Sequence, residues 1–261
     1  MLEQRIQHAC EELGWSRLPE VLYQHAEQAS KENISYLEFL DNLLQEELRA
    51  KYERIILTRT RFARLPFQKT LEEFDFTFQP SVDERRMRDL ATMRFLSHQE
   101  NVIFLGPPGV GKTHLAVALG LEAIRQRHSV YFTTANDLVE SLEEAHEKGT
   151  IRRKLRQYTK PALLIVDEIG YRKMNNAAAH LFFQLVAERY EKGAMVLTSN
   201  KSYSEWGDIF GDNVLATAIL DRILHHSTTV NIRGESFRIQ EKKKAGFLHI
   251  GEDGKPMTVN R

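Results

Sequence analysis

The sequence predicts an α/β protein, a parallel sheet flanked by helices and preceded by a small all-helical module. Three observations predict it. Short, continuously apolar runs recur through the later part of the chain, with helical stretches between them. A glycine-rich loop joins the first of these runs to a helix. Ahead of both lies a stretch whose apolar residues recur at helical spacing.

That leading stretch, residues 1–66, is read as a helical module. Leu37, Leu40, Leu44, Leu48 and Tyr52 recur every three or four residues and predict one apolar helix face. Pro66, Pro80 and the aromatic stretch Phe74-Asp75-Phe76-Thr77-Phe78 mark residues 67–98 as a linker leading into the next domain. Residues 99–240 form that domain. Its apolar runs are Val102–Leu105, Val130–Phe132, Leu163–Val166, Met195–Leu197 and Thr228–Ile232. Helical stretches occupy Leu115–Gln126, Asp137–His146, Ala177–Tyr190 and Leu215–Leu224. Continuous apolar strands alternating with helices imply a parallel sheet covered on both faces. Residues 241–261 read as a polar, loosely ordered tail.

Composition narrows the function classes. No apolar run approaches the roughly 20 residues that cross a bilayer, so no membrane partner is expected. The first residues lack the layout of a secretory signal, and the single cysteine, Cys10, allows no internal disulfide. Both point to the cytoplasm. The 36 basic and 36 acidic residues cancel, which argues against a polycation. The zero is nevertheless a sum of blocks. Residues 1–48 carry ten acids and three bases, residues 49–69 seven bases and one acid, and residues 151–160 five bases and no acid.

The chemistry begins at Gly106-Pro107-Pro108-Gly109-Val110-Gly111-Lys112-Thr113, which fits the G-x-x-x-x-G-K-[ST] phosphate loop. Its glycines let backbone amides turn towards phosphate oxygens, and the following helix adds its positive N-terminal end. Lys112 would reach the β and γ phosphates, and Thr113 would ligate Mg²⁺. The dinucleotide pattern G-x-G-x-x-G fails because its last position is His114. Residues Gly106 to His114 are therefore the candidate cradle for ATP.

Leu163-Leu164-Ile165-Val166-Asp167-Glu168 is an apolar strand ending in two carboxylates, the Walker B form. Asp167 would hold Mg²⁺ and Glu168 would activate the attacking water. The pair favours hydrolysis over nucleotide binding alone, and over transfer to a small-molecule acceptor by a kinase. Asn200, closing Thr198-Ser199-Asn200, could hydrogen-bond that water or the γ phosphate, although an Asn after a strand is also an ordinary turn residue. Arg222 and Arg238 are candidates to stabilise charge developing in phosphoryl transfer, with a surface ion-pair role as the alternative for each. Arg152, Arg153, Lys154 and Arg156 suit contact with the phosphates of double-stranded DNA, the alternative being i,i+4 pairing with the acids before them. The histidines lack metal-ligand spacing.

These motifs together resemble the IstB-like ATP-binding helper proteins of bacterial insertion sequences, AAA+ ATPases related to helicase loaders and replication initiators. The resemblance rests on Tyr36–Leu40 with the basic helix, Gly106–Ala118, Leu163–Tyr171, Leu181–Gln184 and Leu197–Arg238. Its most specific parts are Thr198-Ser199-Asn200-Lys201-Ser202-Tyr203-Ser204-Glu205-Trp206-Gly207 and Ala218-Ile219-Leu220-Asp221-Arg222. It implies an AAA+ fold, with Asn200 as sensor 1, Arg222 as an arginine finger acting in trans, and Arg238 as sensor 2. It further implies ATP hydrolysis with Mg²⁺, assembly on DNA as a ring or helix, and assistance to a transposase. A helicase loader, or a nucleotide-gated DNA-binding protein with little turnover, is the alternative. After Gly170-Tyr171 the chain departs from the family pattern, with Arg172-Lys173-Met174-Asn175 in place of a Leu-Pro type stretch.

Overall fold

A computed structural model describes residues 2–244, 248–250 and 256–258. The chain divides into two units, Met1–Arg59 and Thr60–Arg261. The first holds α1 (Leu2–Leu13), α2 (Leu18–Glu32) and most of α3 (Tyr36–Ala63). Its small core is Cys10, Leu18, Val21 and Leu43, with Ile6, Trp15, Leu22 and Phe39 packed around it. Glu47 is buried beside them and accepts the Ser16, Arg17 and Leu18 N–H groups, so a residue some 30 positions away satisfies the donors at the start of α2. Burial alone would raise its pKa, but these N–H groups and Arg54 outweigh it and hold the carboxyl below the usual range.

The apolar face of α3 is not the one that packs into this core, and of its five residues only Leu44 is half-buried. Leu37, Leu40, Leu48 and Tyr52 are exposed, whereas Leu43 and Glu47 face the core of this unit. The inward stripe runs through Phe39, Leu43 and Glu47 and contains an acid, so a rule that scores apolarity alone passes over it.

The second unit continues with α4 (Glu84–Leu90), α5 (Arg94–Ser97), β1 (Asn101–Leu105), α6 (Lys112–Arg125), β2 (Val130–Thr134), α7 (Ala135–Glu147) and α8 (Ile151–Thr159). Then come β3 (Leu163–Ile169), α9 (Asn176–Arg189), β4 (Ala194–Ser199), α10 (Trp206–Phe210), α11 (Asn213–His225), β5 (Ser227–Asn231) and α12 (Phe237–Lys244). Side-chain caps start several of the helices: Asp83 for α4, Thr134 for α7, Asn175 for α9 and Asp212 for α11. Strands β1 to β5 form one parallel sheet in the order β2-β3-β4-β1-β5. Alternate residues serve its two faces. Ile103, Leu105, Leu164, Val166, Met195 and Leu197 join one large core with α7 to α11. The fold is therefore a parallel sheet between helices, preceded by a helical module. Among the described residues no helix is long and apolar enough to cross a membrane.

Two expectations change here. Residues 67–98 are no loose connector. Leu71, Phe74, Val82, Met87, Leu90, Met93 and Phe95 are buried, and α4 and α5 lie among them. Phe74, Phe76 and Phe78 alternate with polar residues at strand spacing, yet the stretch folds as turns, so periodicity is no guide to its burial. The tail is more regular than its composition suggests. Its first four residues extend α12, and β6 (Leu248–Ile250) pairs antiparallel with β7 (Pro256–Thr258). The rest of the tail lies outside the described residues.

One charge sits inside this unit. Arg189, 2% exposed, ends α9 and donates to the carbonyls of Tyr158 at 2.7 Å, Pro161 at 3.0 Å and Ala194 at 2.6 Å, with longer bonds to Thr159 and Ala162. Burial lowers its pKa to about 10, so the guanidinium stays charged at neutral pH. It ties the end of α8 to the starts of β3 and β4. Arg189→Met would leave these buried carbonyls without donors and should cost about 3 kcal/mol. Thermal unfolding should read that as a drop of roughly 6–12 °C in midpoint.

Candidate phosphate-loop site

The sheet order puts the ends of β1, β4 and β3 side by side, and the chemistry-bearing residues follow from those three ends. After Leu105 the chain turns through Gly106 (φ 154°) and reaches Gly111 (φ 98°), which starts α6. At Gly106 a Cβ would come within 2.4 Å of the Ile232 carbonyl oxygen, and at Gly111 within 2.5 Å of the Phe74 ring. Both positions thus require glycine for space as well as for backbone angle.

Lys112 is 6% exposed, and its Nζ donates to the carbonyls of Gly106 at 2.7 Å and Pro107 at 2.8 Å. Burial lowers its pKa, Arg238 lowers it further, and Asp167 and Glu168 oppose both. Among the described residues no carboxylate lies within ion-pair distance of it. A desolvated cation at the start of a helix, held by loop carbonyls alone, is prepared for an anion.

Thr113 donates its hydroxyl to both carboxylate oxygens of Asp167, at 3.1 and 3.0 Å. Asp167 is buried at the end of β3 and also accepts from the Thr198 hydroxyl. That same Thr198 oxygen accepts the Glu168 N–H at 2.9 Å. A regular strand would send Asp167 and Glu168 to opposite faces. Instead the pairing with β4 shifts register between Val166 and Ile169, and Glu168 takes a left-handed φ of 64°. Both carboxylates consequently act on Lys112. The Glu168 pKa is raised, by burial first and by Asp167 second, while Arg238 and Lys112 pull it back.

Asn200 follows β4, in a turn that the Ser199 hydroxyl holds by donating to Ile169 O and accepting the Lys201 N–H. Its Oδ1 is buried, and among the described residues no donor reaches it. Arg238 stands in the first turn of α12, near enough to influence Lys112, Glu168 and Tyr171. The segment before it lies on the loop, with Phe237 N–H donating to Gly109 O at 3.0 Å. His114 turns the other way: its ring nitrogen meets Thr70 O at 2.8 Å and its ring packs edge-on against Phe74.

Arg222 is not brought to this cluster. It sits near the end of α11, its guanidinium 4.8 Å from the Phe183 ring centre and donating to Ala218 O. It lines a small cleft with Asn101, where β1 begins, while the phosphate loop follows where β1 ends. The length of β1 separates the two, about 15 Å. On α8, Leu155 and Tyr158 are buried, Lys154 lies over the Tyr158 ring, and Arg152, Arg153 and Arg156 are exposed without ion pairs among the described residues. Three of the acids before them are engaged elsewhere: Glu140 by Arg172, Glu143 by Asn175 and Glu144 by Lys148. In the other basic block, Arg49 and Arg54 pair with Glu46 and Glu47, and Arg64 covers Tyr131.

Sequence reading missed two residues of the site. Thr198 was visible beside Asn200, but only the pairing of β3 with β4 sets it against Asp167. Phe74 belonged to a stretch read as linker. The residues present fit Mg²⁺ and a nucleotide. An acidic oxygen pair sits against a hydroxyl, and among the described residues no carboxylate pairs with the buried lysine and no donor reaches the buried amide oxygen.

Comparison with known proteins gives a consistent answer. The family profile described as IstB-like ATP binding protein matches residues 9–245. The chain is 50% identical to an ATP-binding protein of insertion sequence IS5376 from Geobacillus stearothermophilus, over 93% of this chain and 96% of the relative. It is 53% identical to one of insertion sequence IS21 from Pseudomonas aeruginosa, over 85% and 84%. Among solved structures, AMPPCP-bound DnaA from Aquifex aeolicus superposes with a TM-score of 0.55 at 22% identity, covering 69% of this chain and 56% of that one. The DnaC helicase loader gives 0.50 at 21%, covering 57% and 88%. These two likenesses establish an AAA+-like fold.

Thr198→Val removes the hydroxyl shared by Asp167 and the Glu168 backbone. The Mg²⁺ concentration that half-saturates ATP turnover should rise about tenfold, as for other groups that orient metal ligands. Nucleotide affinity without Mg²⁺ should stay unchanged, and Thr198→Ser should restore the Mg²⁺ response.

Proposed function

Because the chain belongs to the IstB-like ATP-binding protein family of the AAA+ class, we propose that it hydrolyses ATP in an assembly on double-stranded DNA and thereby assists a transposase. The observation that carries this reading is an incomplete site. Among the described residues one chain brings Lys112, Thr113, Asp167, Glu168, Asn200 and Arg238 to the loop, while Arg222, a second arginine suited to the reaction, lies by the starts of β1 and β4, at the other end of the strands. A second copy can supply it, and head-to-tail contacts of that kind build rings or helices.

Each side chain has a defined task. Lys112 and the amides at the start of α6 bind the β and γ phosphates. Thr113 and Asp167 would hold Mg²⁺, which when bound neutralises charge on the phosphate oxygens. Glu168 accepts a proton from the attacking water, whose other O–H is oriented by the free Asn200 Oδ1. Water oxygen bonds to the γ phosphorus as the bond to the β–γ bridging oxygen breaks, releasing ADP and phosphate. Arg238 meets the charge from the same chain, and Arg222 meets it from a neighbour.

The exposed bases of α8, without ion pairs among the described residues, support DNA contact through phosphates, and three of the acids before them are engaged with other groups. The names of the relatives, proteins of insertion sequences, support the transposition setting.

Three outcomes test this. Neither Arg222→Ala nor Lys112→Ala alone should turn over ATP appreciably, and mixing them should recover activity; no recovery at any ratio rejects the trans arginine. Reversing Arg152, Arg153 and Arg156 to Glu should flatten the plot of log DNA affinity against log salt by roughly three. An unchanged slope removes α8 from the interface. The acid limb of kcat/KM should lie above the ordinary glutamate range of about 4.3. Arg238→Ala, which takes away a charge favouring ionised Glu168, should move that limb to still higher pH.

A further inference from the structure

Away from the phosphate loop, the fold gathers three residues that the sequence keeps apart. Glu191 follows the end of α9, and His225 and His226 close α11. One ligand atom from each, a carboxylate oxygen and two imidazole nitrogens, lies within 4.8 Å of the others. Adjacent histidines have no metal-ligand spacing by themselves, and the third ligand comes from 34 residues upstream, which hid the cluster from sequence reading.

The supports around the three are built in. The Tyr190 hydroxyl hydrogen-bonds His225 Nδ1 at 2.8 Å, which orients the ring. The His226 carbonyl accepts the Asn101 N–H at 2.8 Å, pinning that backbone to the start of β1. Glu191 adopts a left-handed φ of 56°, a conformation more usual for glycine or asparagine, two residues after the buried Arg189 anchor. Two long helices, α9 and α11, also end here, and the negative ends of their dipoles favour a cation.

We propose that Glu191, His225 and His226 form a binding site for a divalent transition metal of the zinc class, with solvent completing the coordination. Two imidazoles and one carboxylate are the donor set that suits Zn²⁺, whereas Mg²⁺ and Ca²⁺ prefer oxygen alone. Typical Zn–N and Zn–O lengths of about 2.0–2.2 Å require the ligand atoms to close in, which the exposed Glu191 and His226 side chains accomplish by rotating towards His225. Bound metal would clamp the end of α9 to the end of α11, one turn beyond Arg222. This site is independent of the nucleotide reading, because its ligands lie by the start of β1 and the phosphate loop follows its end.

The test uses the full chain without an affinity tag and Zn²⁺ alone, with no nucleotide. Isothermal titration should find one Zn²⁺ per chain, and Co²⁺ should give the visible absorption of a low-coordinate nitrogen-ligated ion. His225→Ala with His226→Ala should weaken binding at least 100-fold and abolish the Co²⁺ bands. Glu191→Gln, and Tyr190→Phe through loss of ring positioning, should each weaken it about tenfold. Zn²⁺ should raise the unfolding temperature of the unaltered chain and not that of the double variant. His146→Ala, at another exposed histidine, should leave every readout unchanged. If the double variant binds Zn²⁺ as tightly as the unaltered chain, or the unaltered chain binds none, the proposal is overturned. Circular dichroism confirms that the variants are folded, and His225→Gln with His226→Gln repeats the measurement with polar side chains of similar size.

Discussion

A single hydroxyl holds the centre of this protein together. Thr198, buried on β4, donates to the Asp167 carboxylate and accepts the Glu168 N–H. The first bond sets the acid that faces Thr113 across the loop. The second holds the left-handed kink that lets consecutive residues of one strand serve one site. Because a buried carboxylate and a buried amide are both costly without partners, this threonine satisfies two demands with one atom. It can do so only because β4 lies between β1 and β3, an order the chain reaches by crossing over between non-neighbouring strands.

The site is correspondingly anchored from outside the loop motif. Phe74 packs against the loop helix through His114 and fills the space that a side chain at Gly111 would take. Gln79 and Ser81 bond the backbone of Glu235 and Arg233, and Phe78 meets Phe237 edge-on. The segment ahead of the parallel sheet and the segment after it, which leads into Arg238, are thereby joined beside the phosphate loop. What composition marks as a connector is, in packing terms, a wall of the site. The loop after Walker B, where the family pattern is broken, is also held: Arg172 pairs with Glu140, Met174 N–H donates to Ile209 O, and Asn175 caps α9.

Where sequence reading succeeded, the signal was local and redundant. The phosphate loop, the apolar strand ending in Asp167 and Glu168, and the polar end of β4 are each contiguous. Their meaning follows from strand–loop–helix order. Where it erred, the deciding contact was distant. The face of α3 that turns inward carries Glu47, an acid buried because it receives three backbone N–H groups from the start of α2. No periodicity rule selects such a residue. Within the basic block at 49–69, Arg49 and Arg54 are paired inside their own helical unit, which the count of charges does not show.

The sequence alone thus determined the fold class, the phosphate loop, the paired carboxylates and the segregation of charge, because each is written in neighbouring residues. The tertiary structure decided which strand neighbours which, and hence that Thr198 couples the carboxylates. It also decided that Arg222 lies a strand's length from its own loop and that Glu191 meets His225 and His226. Those facts depend on long-range pairing, and the register of a parallel sheet is fixed by packing on both faces and not by any one strand's residues.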